Sequence, residues 1–247
     1  MLQELCNGHP DMTITFEFGN FLHLGLPLAQ YRRRILRRLW RTKHRSVLAP
    51  HATRPRDRAA SLLFGLRYLR ALRHHGNGAV TVESVGRTLH RFFPAVPIVG
   101  DKYPGYVFNL DFLSRQPKLR RVIIYRNCLD VASSALLQYR TRWHTKPWSH
   151  KFATAGDVAR HWLKAIDCME RHADDLFIIR YENLVQAPME QMKALAEWLA
   201  VDPAGFRADK IHATSLNKHQ RGLDDQERAE VLRVAGPTIE RLGYRLP

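Results

Sequence analysis

The residues best able to do chemistry in this chain stand where apolar runs stop. Val122-Ile-Ile-Tyr125 is followed at once by Arg126, then by Asp130 and by Ser133-Ser134 in a stretch of helical character. In an open α/β sheet, ligands collect beyond the carboxyl ends of the strands, where helix N-termini offer free N–H groups. An arginine there, with a hydroxyl about two helical turns on, makes a clamp for one phosphate. The alternative is a structural ion pair between Arg126 and Asp130. Lys102, in Gly100-Asp101-Lys102-Tyr103-Pro104, is a second cation after a strand. It suits either the stabilisation of a developing negative charge or plain solvation. Glu17 lies between Phe16 and Phe18. Burial there would raise a carboxylate towards general-base values, and an ion-paired surface glutamate is the other reading. Tyr181 follows the run Ile178-Ile-Arg180 and offers a ring to a nucleobase or to ordinary packing. Lys218 and Arg221 sit in the basic loop Lys218-His219-Gln220-Arg221-Gly222, suited to a second phosphate contact or to a solvated charge cluster.

The elements that must position these groups alternate as in an α/β protein. A helix is expected to end at Asn7-Gly8, and an extended segment covers Ile14 to Phe18. Apolar residues at 28, 31, 35, 36, 39 and 40 give helical spacing from Leu28 to Trp40, with Arg32, Arg33, Arg34, Arg37, Arg38 and Arg41 opposite. A second amphipathic helix, about Arg58 to Arg73, carries Leu62, Leu63, Leu66, Leu69 and Leu72. A third covers Val82 to Phe93. A strand from Pro97 gives way to a loop at Gly100-Asp101-Lys102, with Pro104 breaking the pattern. Phe108 to Leu113 reads as helical, then come the Val122 strand and a helix from Asp130 to about Arg142. Further helices are expected at Asp157 to His172, Pro188 to Leu199 and Asp224 to Leu242. The last is interrupted at Gly236-Pro237, and a strand occupies Leu176 to Arg180. His144 to Thr154 is the expected mobile loop.

Composition narrows the partners. The 247 residues carry 39 Lys+Arg against 23 Asp+Glu, a formal charge of +16. Such a field favours anionic partners and says nothing of the fold. Cys6, Cys128 and Cys168 lack metal or redox-pair spacing and read as thiols of a reducing compartment. His74-His75 and the His144/His150 pair lack the company of a zinc site, so no metal is expected. No apolar run approaches the roughly 20 residues of a membrane span. A cytoplasmic protein is the resulting expectation.

Taken in order, these segments resemble the sulfotransferases that use 3′-phosphoadenosine 5′-phosphosulfate (PAPS), nearest to the bacterial and protein-tyrosine or heparan-type branches. His9-Pro10-Asp11 followed by Glu17 is similar to that family's His-Pro-Asp segment and its acidic residue. Gly100-Asp101-Lys102-Tyr103-Pro104 is similar to its Gly-Asp-Lys-x-Pro segment. Arg126-Asn-Cys-Leu-Asp130-Val-Ala-Ser-Ser134 resembles its 3′-phosphate motif, with Cys128 in place of the usual proline. Arg180-Tyr181-Glu182-Asn183-Leu184 through Trp198-Leu199 resembles its Tyr-Glu-Asp-Leu segment and the helix after it. Gly236-Pro237 to Leu242-Gly243-Tyr244 resembles the ending of many bacterial members.

The resemblance implies one α/β domain over residues 1–247, with a P-loop NTPase-like parallel sheet flanked by helices. Within it, 28–93 forms a helical insertion on the acceptor side. It implies PAPS as sulfuryl donor and no metal. Glu17 becomes the general base, and Lys102 stabilises the moving sulfuryl group or partners the base. Arg126 and Ser134 become the 3′-phosphate ligands, Lys218 or Arg221 closes over that phosphate, and Tyr181 lies beside the adenine. The family's opening strand and its Gly-x-Pro-Arg-Ser-Gly-Thr loop, which cradles the 5′-phosphosulfate, have no counterpart in this sequence. The chain therefore reads as N-terminally truncated, either through a start codon placed too far downstream or as a remnant with impaired donor binding.

Two rivals are kept. One is a non-catalytic basic protein that binds nucleic acid or an anionic membrane through the Arg32–Arg41 helix. The other is a P-loop kinase remnant, against which stands the absence of Gly-x-x-x-x-Gly-Lys-[Ser/Thr]. A sulfotransferase would need no nucleic-acid partner and no transmembrane segment. Its acceptor, whether carbohydrate, lipid or peptide, and its oligomeric state are not written in any motif here.

Overall fold

Two pairs of parallel strands set the architecture. In the computed structural model, which describes residues 1–41, 47–48, 55–75, 78–211, 216 and 219–245, the elements run in this order. Helix α1 (Leu2–Asn7) leads to strand β1 (Met12–Phe16), followed by helices α2 (Leu28–Arg41), α3 (Pro55–Leu72) and α4 (Val82–Phe92). Strand β2 (Ile98–Lys102), helix α5 (Leu110–Leu113), strand β3 (Val122–Tyr125) and helices α6 (Cys128–Gln138) and α7 (Ala155–Glu170) come next. Strand β4 (Phe177–Arg180) precedes α8 (Tyr181–Gln186), α9 (Pro188–Leu199), α10 (His219–Gly222) and α11 (Asp225–Arg241). The chain divides into two units: Met1–Arg120 with Met192–Lys210, and Arg121–Gln191 with Ile211–Pro247.

In the first unit β1 pairs with β2 in parallel, from Met12↔Ile98 to Phe16↔Lys102. Parallel partners cannot be joined by a tight turn, so the long crossover through α2, α3 and α4 follows from the pairing. The α4 start is fixed by a capping box, in which Thr81 and Ser84 exchange side-chain-to-backbone hydrogen bonds. Leu28, Tyr31, Ile35 and Leu39 of α2 are buried at helical spacing and join Phe64, Tyr68, Leu69 and Leu72 of α3 in one apolar core. Inside it the Tyr31 and Tyr68 hydroxyls meet at 2.9 Å, and Tyr31 also donates to the Asn20 carbonyl at 3.0 Å. Buried phenols need such partners.

Two expectations change here. Leu62, Leu63 and Leu66 are exposed by 43–48%, because the aromatic pair Phe64 and Tyr68 decides which face of α3 turns inward. Trp40 is 71% exposed, one step of about 100° beyond buried Leu39 and on the side of Arg33 and Arg37.

His9 is a structural residue of this unit. Its ring is 2% exposed, and Nδ1 accepts from the Asp11 amide at 3.1 Å. Nε2 lies 2.8 Å from the Asp202 carbonyl, which can only accept, so the proton sits on Nε2. Phe206 meets the ring edge-on at 4.8 Å. A Cβ on Gly205 would fall 2.2 Å from Nε2 and 2.5 Å from Cδ2. A rigid ring held at both nitrogens cannot yield. Gly205→Ala is therefore expected to destabilise the protein by about 1–3 kcal/mol. In a thermal melt that corresponds to roughly 2–4 °C per kcal/mol for a chain of this size.

In the second unit β3 pairs with β4 in parallel, from Val122↔Phe177 to Tyr125↔Arg180. Leu129, Ala132, Ser133 and Leu136 of α6 are buried at i, i+3, i+4 and i+7, and Val158, Trp162 and Ile166 of α7 and Val231, Ala235 and Ile239 of α11 complete the core. Thr154 caps α7 and Asp224 caps α11, the latter in a capping box with Glu227. Arg241 grips Glu170 with both terminal nitrogens, at 2.7 and 2.9 Å.

Four further expectations change. The four residues of β3 are half-exposed rather than buried; in its sheet the strand has one partner, β4. The helix expected to reach Arg142 is α-helical to Gln138 and continues as a π-helical turn over Tyr139–Trp143. Instead of breaking at Gly236-Pro237, α11 runs through Pro237. The basic loop is helical from His219 onwards.

Candidate active site

The first cluster lies in the first unit at the carboxyl ends of β1 and β2. Strand β2 extends through Asp101 and Lys102, which the sequence had placed in a loop. Glu17, by contrast, leaves β1 and adopts a left-handed conformation with φ +50°. For a residue with a Cβ this costs about 1–2 kcal/mol, so the surroundings must impose it. They do so at four backbone groups of the turn. The Glu17 amide donates to the Lys102 carbonyl at 2.7 Å, and the Glu17 carbonyl accepts from Arg38 Nε at 2.7 Å. The next two amides, Phe18 and Gly19, donate to Asp101 Oδ1 at 3.0 Å and Oδ2 at 2.7 Å.

Asp101 is the centre of this turn. Besides the two amides it accepts from the Thr15 hydroxyl at 2.7 Å and the Tyr106 hydroxyl at 2.6 Å. Burial pushes its carboxyl pKa up, against the hydrogen bonds from Tyr106, Thr15, Gly19 and Phe18, which favour the ionised form. Gly19 has φ +74°, and a Cβ there would meet Arg38 Nε at 2.7 Å. Glycine is what lets the arginine reach the turn. The Arg38 guanidinium also lies over the Tyr103 ring, 4.1 Å from its centroid.

Held this way, Glu17 presents Oε1 to Lys102 Nζ at 3.4 Å, and Nζ stands 4.5 Å from the Phe16 ring centroid. Glu17 is 21% and Lys102 40% exposed at the side chain. An ion pair this open contributes at most about 1 kcal/mol to stability. Two groups of opposite charge at a strand edge, one able to take a proton and one able to face an anion, match the division of labour in a group transfer. His23, nearby in the field of Arg34 and Arg38, is lowered first by burial and then by these two cations. Both effects favour the neutral imidazole.

The second cluster belongs to the second unit, at the carboxyl ends of β3 and β4. Arg126 follows β3 directly and Tyr181 follows β4, as the first residue of α8. Asn127 caps α6 by accepting from the Leu129 amide at 2.9 Å. Its own amide donates to Glu182 Oε1 at 3.0 Å, whose second oxygen takes the Tyr244 hydroxyl at 2.9 Å. The Arg126 carbonyl accepts from Trp162 Nε1 at 3.0 Å. The backbone beneath the arginine is thus pinned from α7, α8 and the C-terminal segment.

The Arg126 side chain pairs with buried Asp130, Nη2 at 2.9 Å and Nε at 3.3 Å from Oδ2, and its guanidinium carbon lies 5.1 Å from the centroid of the Tyr181 ring. The structural ion pair weighed at the outset is therefore real. A guanidinium carries five N–H donors in a planar fork, so a carboxylate on one edge is compatible with a phosphate on another. Burial alone would raise Asp130; the bonds from Arg126 and from the His219 amide and ring outweigh it and leave the carboxyl below its ordinary value. Ser134 is exposed on α6, and Arg221 is exposed on α10. Lys218 lies outside the described residues. Gly222, at the end of that basic segment, is packed closely: a Cβ there would come within 2.1 Å of Ser133 Oγ.

Glu17 and Lys102 thus stand together in one unit, and Arg126 and Tyr181 in the other. Sequence reasoning missed Asp101, Arg38 and His219. Asp101 was already inside a quoted motif, and its aspartate next to a strand end was the available signal. Arg38 was hidden among six arginines of like spacing. Among the described residues no group of three or more His, Cys, Asp or Glu is placed to hold a metal ion. None of their helices is long and apolar enough to cross a membrane.

The family model described as the Sulfotransferase family matches residues 1–204. No curated protein matches the sequence. Among solved structures, the sulfotransferase domain of the Synechococcus PCC 7002 olefin synthase aligns with 15% identity and a TM-score of 0.58, covering 100% of this chain and 90% of that one. The sulfotransferase domain from the curacin biosynthetic pathway aligns at 15% identity and 0.55, covering 100% and 94%. A sulfotransferase from Mycobacterium avium aligns at 14% and 0.52, covering 99% and 74%. At these identities the likeness is one of fold: parallel strands flanked by helices.

Proposed function

Because the chain belongs to the sulfotransferase family, we propose that it transfers a sulfuryl group from PAPS to a hydroxyl or amine of a carbohydrate, lipid or peptide acceptor. The observation that carries the choice of donor is the second-unit cluster. A pinned arginine stands at the end of a strand, with a hydroxyl two helical turns along the helix that follows. That donor set fits a 3′-phosphate: Arg126 supplies a charged fork and Ser134 a hydroxyl. Arg221 on α10, with Lys218 just before it, adds positive charge. Tyr181 carries the guanidinium on its ring and is assigned to the adenine side.

The donor, when bound, supplies a sulfuryl group on an anhydride whose other half leaves as 3′-phosphoadenosine 5′-phosphate (PAP). Glu17 takes the proton of the acceptor hydroxyl or amine as the new bond to sulfur forms and the bond to the 5′-phosphate oxygen breaks. Lys102 stabilises the negative charge on the moving group and, between turnovers, pairs with Glu17. Positioning and charge stabilisation do most of the work in transfers of this kind. Helices α2 to α4 form the acceptor side.

Isothermal calorimetry of the full chain with PAP tests the donor. Saturable binding is expected, weakening as salt is raised; the absence of saturable binding overturns the proposal.

A further inference from the structure

We infer that His219 is a positioning residue of the 3′-phosphate site, acting through Asp130 to hold α10 and Arg126 on a single anchor. The inference rests on the donor reading above and adds to it a device that selects nucleotides with a 3′-phosphate. Asp130 is 2% exposed, and its two oxygens face different elements. Oδ2 takes Arg126, from Nη2 at 2.9 Å and Nε at 3.3 Å. Oδ1 takes the first residue of α10 twice, from the His219 amide at 3.0 Å and from ring Nδ1 at 2.8 Å. An amide can only donate, and a ring nitrogen so close to an ionised oxygen must carry a proton. One buried carboxylate therefore accepts from both partners with good geometry.

The other end of α10 is seated as tightly. Gly222 lies so close to α6 that a Cβ would meet Ser133 Oγ at 2.1 Å. His219 and Gly222 together press this short helix onto α6, the helix that carries Ser134. Arg221 lies between the two contacts, and Lys218 immediately precedes the first. A carboxylate near a phosphate site works against anion binding by simple charge. Its value lies in orientation, since it fixes the guanidinium and α10 with Arg221 before the ligand arrives and so lowers the ordering cost of binding. A buried pair serving only the fold would not need to tie the phosphate-motif arginine and α10 to the two oxygens of one carboxylate.

The test compares PAP with adenosine 5′-phosphate, which lacks only the 3′-phosphate, by calorimetry on the full chain. In His219→Ala, PAP should bind about tenfold more weakly while adenosine 5′-phosphate stays within about twofold, the loss of one charge-assisted hydrogen bond. His219→Asn keeps a donor near the Nδ1 position and should recover most of the PAP affinity. Equal losses for both nucleotides, no loss, or an asparagine variant as weak as alanine each overturn the inference. Should His219→Ala fail to fold, Gly222→Ala serves instead, because it lifts α10 through Ser133. Its PAP-selective loss should shrink in the Ser133→Ala, Gly222→Ala double variant, and a loss unchanged there overturns the seating. A wild-type chain that binds no PAP overturns the donor reading itself, whereas a wild type that binds PAP without these selective losses overturns only the His219 device.

Discussion

Arg126→Ala should weaken PAP binding by about 10- to 100-fold, the range for losing charge-assisted hydrogen bonds to a phosphate. The protein should also melt earlier, for a separate reason. Asp130 is buried, and removing the arginine takes away the cation that pairs with its Oδ2. Breaking a buried pair in this way costs about 3–5 kcal/mol. The two effects part company in Arg126→Lys. A lysine keeps a charge near Asp130 and restores part of the thermal stability, but it lacks the planar fork, so PAP affinity should stay low. Calorimetry for binding and a thermal melt for stability separate them. An alanine variant that binds PAP like the wild type removes Arg126 from the site.

Glu17→Gln should reduce turnover by about 10²- to 10⁴-fold, the usual contribution of a positioned general base. PAP affinity should be nearly unchanged. The substitution keeps the length of the side chain and removes its basicity, and none of the four hydrogen bonds that hold the turn uses the Glu17 carboxylate. The left-handed backbone should therefore persist. PAP release from PAPS under saturating acceptor measures turnover. Turnover close to wild type, or a large loss of PAP affinity, would take the base role away from Glu17.

Much of the architecture could be read from apolar spacing. The α2 face comes directly from it, because a buried helix face repeats at 3.6 residues, and the strand positions come from short apolar runs. Expectation failed where one contact overrides local pattern. In α3 the rings of Phe64 and Tyr68 set the inward face together with Leu69 and Leu72, and left Leu62, Leu63 and Leu66 outside. At Gly236-Pro237 the usual breaker signal did not end the helix, which continues for another four residues after Pro237 to Arg241.

The candidate site was legible at its tips and not at its roots. Arg126 and Lys102 do stand at strand ends, as their neighbours in the chain suggested. Glu17 is a different case, since no local signal announces a glutamate at φ +50°. Its conformation comes from Asp101 and Arg38, at 84 and 21 positions' distance, and single-sequence spacing carries no record of such pairings. The same holds for His219, which meets Asp130 across 89 residues of chain. Resemblance located the motifs; only geometry showed that the aspartates inside two of them are the residues that hold the others in place.

The two units are interleaved along the chain, and this bears on how it can be made. The first draws on Met1–Arg120 and again on Met192–Lys210, while the second resumes at Ile211. His9 illustrates the delay, because its acceptor Asp202 and its ring partner Phe206 lie more than 190 residues downstream. On a translating ribosome the early strand β1 finds β2 only after about 85 residues have been added, and the His9 ring waits for a segment made far later still. Contacts this distant slow folding and prolong the exposure of apolar segments. Neither unit is a contiguous stretch of the sequence, so each is completed only when its second, later segment has been made.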